Sequence, residues 1–268
     1  MKLVDIHAHL GMERFIKDLD DVMERAEKAG VVCVICSGVD SEANRQVLEL
    51  SKKYKTVRPS FGLYPLDAII EKFPDLEDDS PREIKAFNVD KELKWVEGNK
   101  DKCIAIGEVG LDFKVIPDDE KIRKEQIKVF EKVLELAKKI DKPVIIHSRS
   151  AEKECLDLLE KHEMKKVVLH CFSAKKSLIK RGIELGYYFS VPPVIRRLQH
   201  FQTLTEIVPL EQLLTETDAP YLSPVAGERN EPANVSVTIR KIARIKGLTE
   251  EEVAAEIWEN FEVVFGIL

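Results

Sequence analysis

Six side chains that can bind metal ions lie at or just beyond the ends of short apolar segments in the 268-residue chain. Histidine nitrogens and carboxylate oxygens are ligands that divalent transition metals accept readily. Four histidines and two carboxylates exceed what one tetrahedral ion needs, and they suit a pair of divalent ions that share a bridging carboxylate. A single such histidine is more often structural, whereas six groups of this kind would be costly to bury without a metal. The candidate metal ligands are His7, His9, Glu108, His147, His170 and Asp218.

The spacing within two of these segments directs neighbouring side chains to one place. Side chains alternate along an extended strand, so His7 and His9 point the same way and can hold the same ion. Asp5 shares that face one step deeper, where we expect it either to orient a histidine or to bind the ion directly. Arg149, two residues beyond His147, is expected to face the same pocket, where a guanidinium suits a phosphate group. The alternative for Arg149 is a salt bridge at the rim.

The hydrophobic pattern predicts the elements that would position these groups. Eight short runs, rich in Val and Ile and almost continuously apolar, are typical of strands covered on both faces. They span residues 3–6, 31–36, 57–61, 103–106, 143–146, 167–169, 187–190 and 213–215. Amphipathic segments predict helices over residues 18–29, 41–54, 89–99, 119–139, 151–162, 174–185, 197–206, 234–246 and 249–265.

Strands that alternate with helices predict an α/β fold in the form of a (β/α)8 TIM barrel, with residues 1–268 as a single domain. An open doubly wound sheet is the alternative, but no glycine-rich phosphate-binding turn follows any of the strands. The C-terminal ends of barrel strands converge on one mouth, where active sites are built. We therefore expect the six candidate ligands, although far apart in sequence, to meet in one pocket.

Several boundary residues support this division into elements. Gly30 and Gly186 follow predicted helices, as C-terminal capping glycines do. Ser41 is expected to be the N-cap of its helix, and Thr249 with Glu252 forms a capping-box pattern.

Three regions are expected to lie away from the pocket. Residues 73–87, which contain prolines and several acids, predict a surface excursion after the third strand. His162 and His200 lie in polar helical segments and are expected on the surface.

Cys33 and Cys36 form a C-x-x-C inside a strand-like run, and no second cysteine pair completes a zinc site. We interpret them as buried structural thiols rather than as a metal or redox site.

The composition restricts the classes of function. Hydrophobic residues make up 44% of the chain, enough for a large core, and the formal net charge is −6 at pH 7. An acidic protein is not expected to grip long nucleic acid over its whole surface, although a local phosphate site is compatible with this charge. The first residues lack a signal-peptide pattern, and no segment approaches the roughly 20 apolar residues of a spanning helix. We therefore expect a cytoplasmic protein with no membrane contact and no obligate protein partner.

Seven short motifs follow one another along the chain. They read DIHAH at 5–9, GEVGLD at 107–112, HSR at 147–149, HCFS at 170–173, ETDAPYL at 216–222, RNEPAN at 229–234 and NF at 260–261. Together they closely resemble, in the same order, the motifs of the TatD-type deoxyribonuclease family, a branch of the amidohydrolase-like metal-dependent hydrolases. The resemblance covers essentially the whole chain, and the set is highly specific although its individual pieces are not.

The resemblance implies a TIM-barrel hydrolase with a one- or two-metal centre that cleaves phosphodiester bonds in DNA by means of a metal-activated water. We expect two divalent metal ions, such as zinc, manganese or magnesium. By position, one ion would be held by His7, His9, Glu108 and Asp218, and the second by Glu108, His147 and His170. Glu108 would then bridge the two ions.

The same resemblance assigns roles in catalysis and substrate binding. Asp218 would act as the general base beside the attacking water, with Glu108 as the second catalytic carboxylate, and Arg149 would stabilise charge on the phosphoryl oxygens. The residues expected to contact substrate are Arg149, Tyr221, Arg229 and Asn230. A plain turn role for Asn230 and its neighbours is an open alternative.

The sequence departs from the family pattern where substrate contacts are expected. Tyr64 and Leu66 stand where the family usually has histidines, and Ala174 replaces a glycine. The expected substrate is a DNA strand end or a small phosphoester that reaches a deep site. A hydrolase of the same fold acting on a small ester, amide or phosphoester is the first alternative. A non-catalytic metal-binding barrel is the second, and the presence of all six ligands disfavours it.

Overall fold

The computed structural model describes residues 1–77 and 84–266. Its strands are β1 (Leu3–Ala8), β2 (Val31–Ser37), β3 (Val57–Leu63), β4 (Ala105–Asp112), β5 (Val144–Arg149), β6 (Val167–Leu169), β7 (Tyr188–Val191) and β8 (Leu213–Thr215). Its helices are α1 (Leu19–Lys28), α2 (Ser41–Lys53), α3 (Val89–Gly98), α4 (Glu120–Lys139), α5 (Glu152–Lys161), α6 (Lys176–Glu184), α7 (Gln199–Ile207), α8 (Val235–Lys246) and α9 (Glu250–Phe265).

The strands form one parallel sheet in which each pairs with the next along the chain, from β1 to β8. The segment after β8 closes this sheet on β1, because Ala8 bridges Ala219 and the His9 amide donates to the Ala219 carbonyl at 2.7 Å. The Thr215 hydroxyl adds a hydrogen bond of 2.6 Å to the Val4 carbonyl. The predicted (β/α)8 barrel is confirmed, and all eight predicted strands are present.

The strands are buried on both faces, as their continuous apolar pattern predicts. Neighbouring residues such as Val34 and Ile35 point to opposite sides of the sheet, and both are fully buried. One side packs into the barrel interior and the other beneath the surrounding helices. This double burial fixes the strand backbone, so side chains at the strand ends stand on rigid supports.

The helix boundaries agree closely with the sequence pattern. Gly30 and Gly186 follow α1 and α6 with φ values of 90° and 77°, a conformation that glycine adopts without steric cost. The Thr249–Glu252 capping box opens α9 as predicted. The prediction for Ser41 is wrong: Asp40 is the N-cap of α2, and its carboxylate accepts from the Ala43 amide at 2.7 Å. Asp and Ser are comparable caps, and their adjacency made the sequence ambiguous.

Cys33 and Cys36 are free, buried thiols, as predicted. Three residues apart on a strand, they point to opposite sides of β2 and cannot chelate one ion together. The described parts of the excursion after β3 are exposed or half-buried, whereas residues 78–83 lie outside the described residues. Within residues 1–77 and 84–266, no helix combines the length and the apolar character that crossing a membrane requires.

Candidate metal centre

The six candidate ligands stand at the C-terminal mouth of the barrel. Three lie within strands, namely His7 in β1, Glu108 in β4 and His147 in β5. The other three follow strands: His9 comes directly after β1, His170 directly after β6, and Asp218 three residues after β8. Parallel strands in a barrel present these ends to one space, so residues separated by more than two hundred positions in sequence become neighbours.

The fourth strand is longer than the apolar pattern indicated, and Glu108 does not end it. β4 continues to Asp112 and pairs with β5 as far as Arg149. Gly110 makes this close approach feasible, because a Cβ built there would lie 1.9 Å from the His147 carbonyl oxygen. Its φ of 145° is also one that side chains rarely allow.

The two carboxylate oxygens of Glu108 face two different pairs of histidines. Oε2 lies 3.4 Å from the Nε2 atoms of both His7 and His9. Oε1 lies 2.7 Å from Nδ1 of His147 and 3.7 Å from Nε2 of His170. The buried carboxylate therefore stands between the two halves of the cluster, with one oxygen turned to each.

Asp218 joins the half formed by the first strand. Its Oδ1 lies 3.6 Å from His7 Nε2 and 3.4 Å from His9 Nε2. The two histidine nitrogens are 3.1 Å apart. Two nitrogen ligands on one tetrahedral zinc, each about 2.05 Å from the ion, would be separated by about 3.3 Å. The spacing of this pair therefore fits a shared ion.

The remaining ring nitrogen of every histidine in the cluster has a hydrogen-bonding partner outside it. This arrangement orients each ring and leaves the inner nitrogen directed at the cluster, as in known metal sites. The pairs are His7 Nδ1 with the Ser37 hydroxyl at 3.1 Å, His9 Nδ1 with the Ser37 carbonyl at 3.2 Å, His147 Nε2 with Asp112 at 2.8 Å and His170 Nδ1 with Glu216 at 2.6 Å. The donor set therefore fits divalent cations.

The electrostatic field keeps the carboxylates ionised. Burial alone would raise the pKa of Glu108, but the facing imidazoles of His7 and His147 hold it well below the ordinary value. Burial opposes ionisation of Asp218 too, and the contact with His9 lowers its pKa. Burial lowers the pKa of His9, yet Asp218 and Glu108 outweigh burial and raise it to about 10. Four imidazoles thus face strongly negative oxygens, the complement of a cation.

Asp112 is a residue of the site that the sequence reasoning did not single out. Its Oδ2 is 2.8 Å from the Tyr64 hydroxyl, 2.8 Å from His147 Nε2 and 2.8 Å from Arg149 Nε. Asp112 is fully buried, so this carboxylate holds three side chains of the mouth in fixed positions. The sequence signal that could have identified it is its position four residues after Glu108, which places both side chains on the same face of a strand.

Glu216 was missed in the same way. It is fully buried, and its carboxylate contacts both His170 Nδ1 and the backbone amide of Cys171, the latter at 3.0 Å. Through these two contacts it fixes the ring and the backbone directly after β6. The sequence signal that could have identified it is an acidic residue directly after the eighth apolar run.

Two of the four expected substrate contacts line the mouth cavity, which has a volume of about 550 Å³. The Arg149 side chain, 37% exposed, borders it beside Asp112. Tyr221 also borders it, with its ring centroid 6.5 Å from that of His9.

Arg229 and Asn230 are not brought to this cavity. The Arg229 guanidinium forms an ion pair with Asp18 and lies over the ring of Phe15, 4.7 Å from its centroid. Asn230 is fully buried, and its side-chain amide donates to the Thr217 carbonyl at 2.8 Å. Both side chains brace the loop that follows β8.

Asp5 is fully buried and contacts two backbone amides and the Thr217 hydroxyl rather than an imidazole. Its Oδ1 accepts from the Thr217 amide at 2.8 Å and the His7 amide at 3.2 Å, which ties β1 to the segment after β8. His162 and His200 are half-buried rather than on the surface. His162 lies 3.5 Å from Glu131, and His200 Nε2 lies 3.0 Å from the Phe172 carbonyl.

Comparison with known proteins places this arrangement in a family. A family model described as TatD related DNase matches residues 4–266. The human deoxyribonuclease TATDN3 is 37% identical over 260 residues, which cover 96% of this chain and 92% of the human protein. The 3'-5' ssDNA/RNA exonuclease TatD of Citrobacter koseri is 30% identical over 276 residues, which cover 99% of each chain.

A solved structure agrees over the same length. The crystal structure of YJJV, a TatD homologue from Escherichia coli K12, matches with a TM-score of 0.84 and 26% identity, covering 99% of this chain and 98% of that one. Fold, sequence and motif order therefore lead to one conclusion. This chain belongs to the family of TatD-related DNases.

Proposed function

We propose that this protein is a metal-dependent hydrolase that cleaves phosphodiester bonds in DNA at a two-metal centre. The position of Glu108 carries the proposal, since its two oxygens face the His7–His9 pair and the His147–His170 pair separately. A carboxylate placed in this way is suited to bridge two cations. The names of the similar proteins, human deoxyribonuclease TATDN3 among them, support DNA as the substrate.

We assign one ion to His7, His9, Glu108 and Asp218, and the second to Glu108, His147 and His170. Three overlapping groups of these residues place their ligand atoms within 4.8 Å of one another. When bound, divalent ions lower the pKa of a coordinated water and withdraw charge from phosphoryl oxygens. Imidazole and carboxylate suit zinc, manganese, iron or nickel, and magnesium less readily.

The residues of the chain supply proton transfer and orientation. Asp218 lies at the open side of the cluster with its side chain 16% exposed, so its carboxylate can take the proton of an attacking water. Asp112 engages Nε of Arg149 and so directs the guanidinium along the cavity wall, where it can donate to the phosphoryl oxygens of a substrate. Tyr221 contributes to the cavity wall near His9. We assign Arg229 and Asn230 to the support of the β8 loop.

We propose a strand end, rather than the middle of a duplex, as the substrate. Four of the six ligands are buried, and the side chains of His147 and Asp218 are 13% and 16% exposed. Five of the six line a cavity of about 550 Å³, a volume in the range of small-molecule sites. The relative from Citrobacter koseri is named for 3'-5' action on single-stranded DNA and RNA.

A small phosphoester is the second candidate substrate. Tyr64 is 9% exposed and is held against Asp112, so it narrows the cavity where the family usually has a histidine. A closed wall on that side favours a compact substrate. In either case the reacting bond is a phosphoester.

We also infer a cytoplasmic location. All five cysteines lie in the described part of the chain and are free, and four of them are buried. Such thiols agree with a reducing compartment, where disulfides are rare.

The function is tested with the metal-loaded protein on two substrate panels, single-stranded and double-stranded DNA against small phosphoesters, carboxylic esters and amides. We expect turnover of DNA, and we expect Asp218→Asn to lower kcat by about 10² or more, because a general base contributes about 10²–10⁴. The control is Asp101→Asn, an exposed change outside the mouth. Turnover of amides or carboxylic esters without any phosphodiester cleavage would contradict the proposal, as would full activity of Asp218→Asn.

A further inference from the structure

A second cavity, of about 280 Å³, lies outside the barrel between α8 and the 3-10 turn Pro193–Arg196 that follows β7. Its lining residues on α8 are separated by three, one and three positions, so they share one face of that helix. Arg196 closes the cavity from the turn. The cavity, which we call the basic cleft, is lined by Arg196, Val237, Arg240, Lys241 and Arg244.

The charge of the basic cleft is almost uncompensated. Four of its five lining residues are cationic, and within the described chain no acidic side chain lines it. Among residues 1–77 and 84–266, only Arg240 of these four cations has a carboxylate within 4.0 Å, that of Glu250 at 3.6 Å, and the Arg240 side chain is 58% exposed. Like charges gathered in one concave surface repel each other and attract anions.

Some cations elsewhere in the protein are paired with carboxylates. On α4, for example, Lys124 pairs with Glu120 at 2.7 Å and Lys132 pairs with Asp90 at 2.6 Å. The whole chain carries a formal charge of −6, so a group of four cations facing one cleft is a local reversal of sign. The chemistry that fits it is a multiply charged anion.

The walls of the basic cleft are connected along the chain to strands of the barrel. The 3-10 turn begins two residues after β7, and α8 follows the segment after β8 that carries Asp218 and Tyr221. Both walls therefore follow strands whose C-terminal ends form the mouth.

The neighbouring loop after β6 adds two exposed cations, Lys175 and Lys176. The contact of 3.0 Å between His200 Nε2 and the Phe172 carbonyl fastens this loop to α7, so the loops after β6 and β7 are held together. Cations thus occur on the segments that follow β6, β7 and β8.

We propose that the basic cleft binds the phosphate backbone of a nucleic-acid strand whose end occupies the metal centre. This inference rests on the proposed function and adds to it a binding site away from the reacting bond. Arginine donates to phosphate in a bidentate manner, and contacts of this kind are independent of base sequence. The cleft would therefore raise affinity for strands long enough to span both places and leave short substrates unaffected.

The test compares two double variants that each remove two positive charges from the outer face of a helix. Lys241→Gln with Arg244→Gln removes cations of the basic cleft, and Lys121→Gln with Lys128→Gln on α4 is the matched control. Glutamine keeps helix propensity in both variants. The affinity of each metal-loaded protein is measured by fluorescence anisotropy for a 15-nucleotide single strand with cleavage-resistant phosphorothioate linkages. A dinucleotide with the same linkage serves as the short probe.

We expect the cleft variant to bind the 15-nucleotide strand at least fivefold more weakly than the unaltered protein, with the dinucleotide unaffected. The slope of log K against log salt should decrease by about 1.4, because each lost phosphate contact on a single strand removes about 0.7. The control variant should keep both affinities. Unchanged binding of the long strand would overturn the inference, and so would equal losses in both variants.

Two further outcomes separate this inference from others. Vesicles that contain phosphatidylserine are the second probe, and cleft-dependent binding to them without binding to the oligonucleotide would overturn the inference in favour of a lipid surface. Cleavage of a small phosphodiester by the cleft variant, at the rate of the unaltered protein, reports on the metal centre alone. Loss of the proposed function would therefore be visible independently of the cleft.

Discussion

Each imidazole of the metal centre uses one nitrogen for the cluster and the other for a fixed partner. His147 turns Nδ1 to Glu108 and Nε2 to Asp112, whereas His170 turns Nε2 to the cluster and Nδ1 to Glu216. The carboxylate partners choose the tautomer, because an acceptor at one nitrogen requires the proton to be there. In the proposed metal centre, we therefore expect the residues behind the ligands to control metal affinity as well as geometry.

Replacing Asp112 with Asn tests this control. The variant keeps the shape of the side chain but removes the negative charge that holds the His147 Nε2 proton and Arg149. We expect the protein's affinity for the ion assigned to Glu108, His147 and His170 to fall about tenfold or more, the usual effect of losing such a partner. Isothermal titration calorimetry with the metal ion measures this affinity independently of turnover.

The matched control for that experiment is Tyr64→Phe. It removes one hydrogen bond to Asp112 and leaves its charge and its contact with His147 in place. Metal affinity within about twofold of the unaltered protein is expected for Tyr64→Phe. Equal losses in the two variants would contradict the assigned role of Asp112.

The sequence identified the six cluster residues because the pattern of strands placed each of them near a strand end. It did not identify Asp112, Glu216 or Ser37, because their importance depends on which side chain each one meets across the barrel. Such partners, from β2, β4 and the segment after β8, become neighbours only when the sheet closes. Arg229 and Asn230 are the opposite case. Their motif predicted contacts with substrate at the mouth, whereas their side chains brace the loop after β8.

At the scale of elements, the segment after β8 both closes the barrel and carries Asp218. Asp218 itself has a φ of 55°, in the left-handed region that Asp tolerates better than most residues. Its amide donates to the His7 carbonyl at 2.8 Å. The position of this carboxylate therefore depends on backbone contacts between the segment and β1.

Asn230→Ala tests how strongly the loop is held. The change removes the donor to the Thr217 carbonyl and the acceptor for the Asn234 amide, and it leaves buried polar groups without partners. We expect a loss of about 1–3 kcal/mol in the free energy of unfolding, measured by urea denaturation. Asn234→Ala, which removes only the half-buried partner, should cost less. A neutral Asn230→Ala would show that this hydrogen bonding does not hold the loop.

Element boundaries were predictable where capping chemistry fixes them and less so where strands extend. Thr249 with Glu252 and the two capping glycines marked helix ends within a residue. β4 continues six residues beyond its predicted end at Ile106. The prediction stopped there because glycines and acidic residues interrupt the apolar run after Ile106. The pairing with β5, which no sequence pattern displays, is what extends the strand.

At the scale of the whole molecule, the net charge of −6 and the proposed nucleic-acid substrate are compatible. Negative side chains at the mouth face imidazoles and, in the proposed function, cations, while four cations line the basic cleft. We expect the net negative charge to weaken contact with long nucleic acid outside this cleft.

The buried thiols give a prediction about the intact fold. Burial raises the pKa of both Cys33 and Cys36 to about 12. At pH 8 the native thiols should therefore react with Ellman's reagent at least a hundredfold more slowly than in denaturant, because the thiolate is the reactive form. Mass spectrometry of the labelled peptides distinguishes them from Cys171. Rapid labelling of either residue in the native protein would contradict the packing of β2.

The raised pKa values of Cys33 and Cys36 also make the free energy of unfolding depend on pH. The folded state holds these protons to a higher pH than the unfolded state, whose thiols ionise near pH 9. Stability from this source is fully present below pH 9 and is lost between about pH 9 and 12. Alanine at both positions should reduce this alkaline loss in denaturant unfolding.

The central claim is that one buried carboxylate bridges two ions at the mouth of the barrel. Anomalous X-ray diffraction from crystals of the manganese-loaded protein tests it directly. We predict two peaks about 3.5–4 Å apart on either side of the Glu108 carboxylate, one beside His7 and His9 and the other beside His147 and His170. A single peak at full metal loading, or ions bound away from Glu108, would contradict the claim.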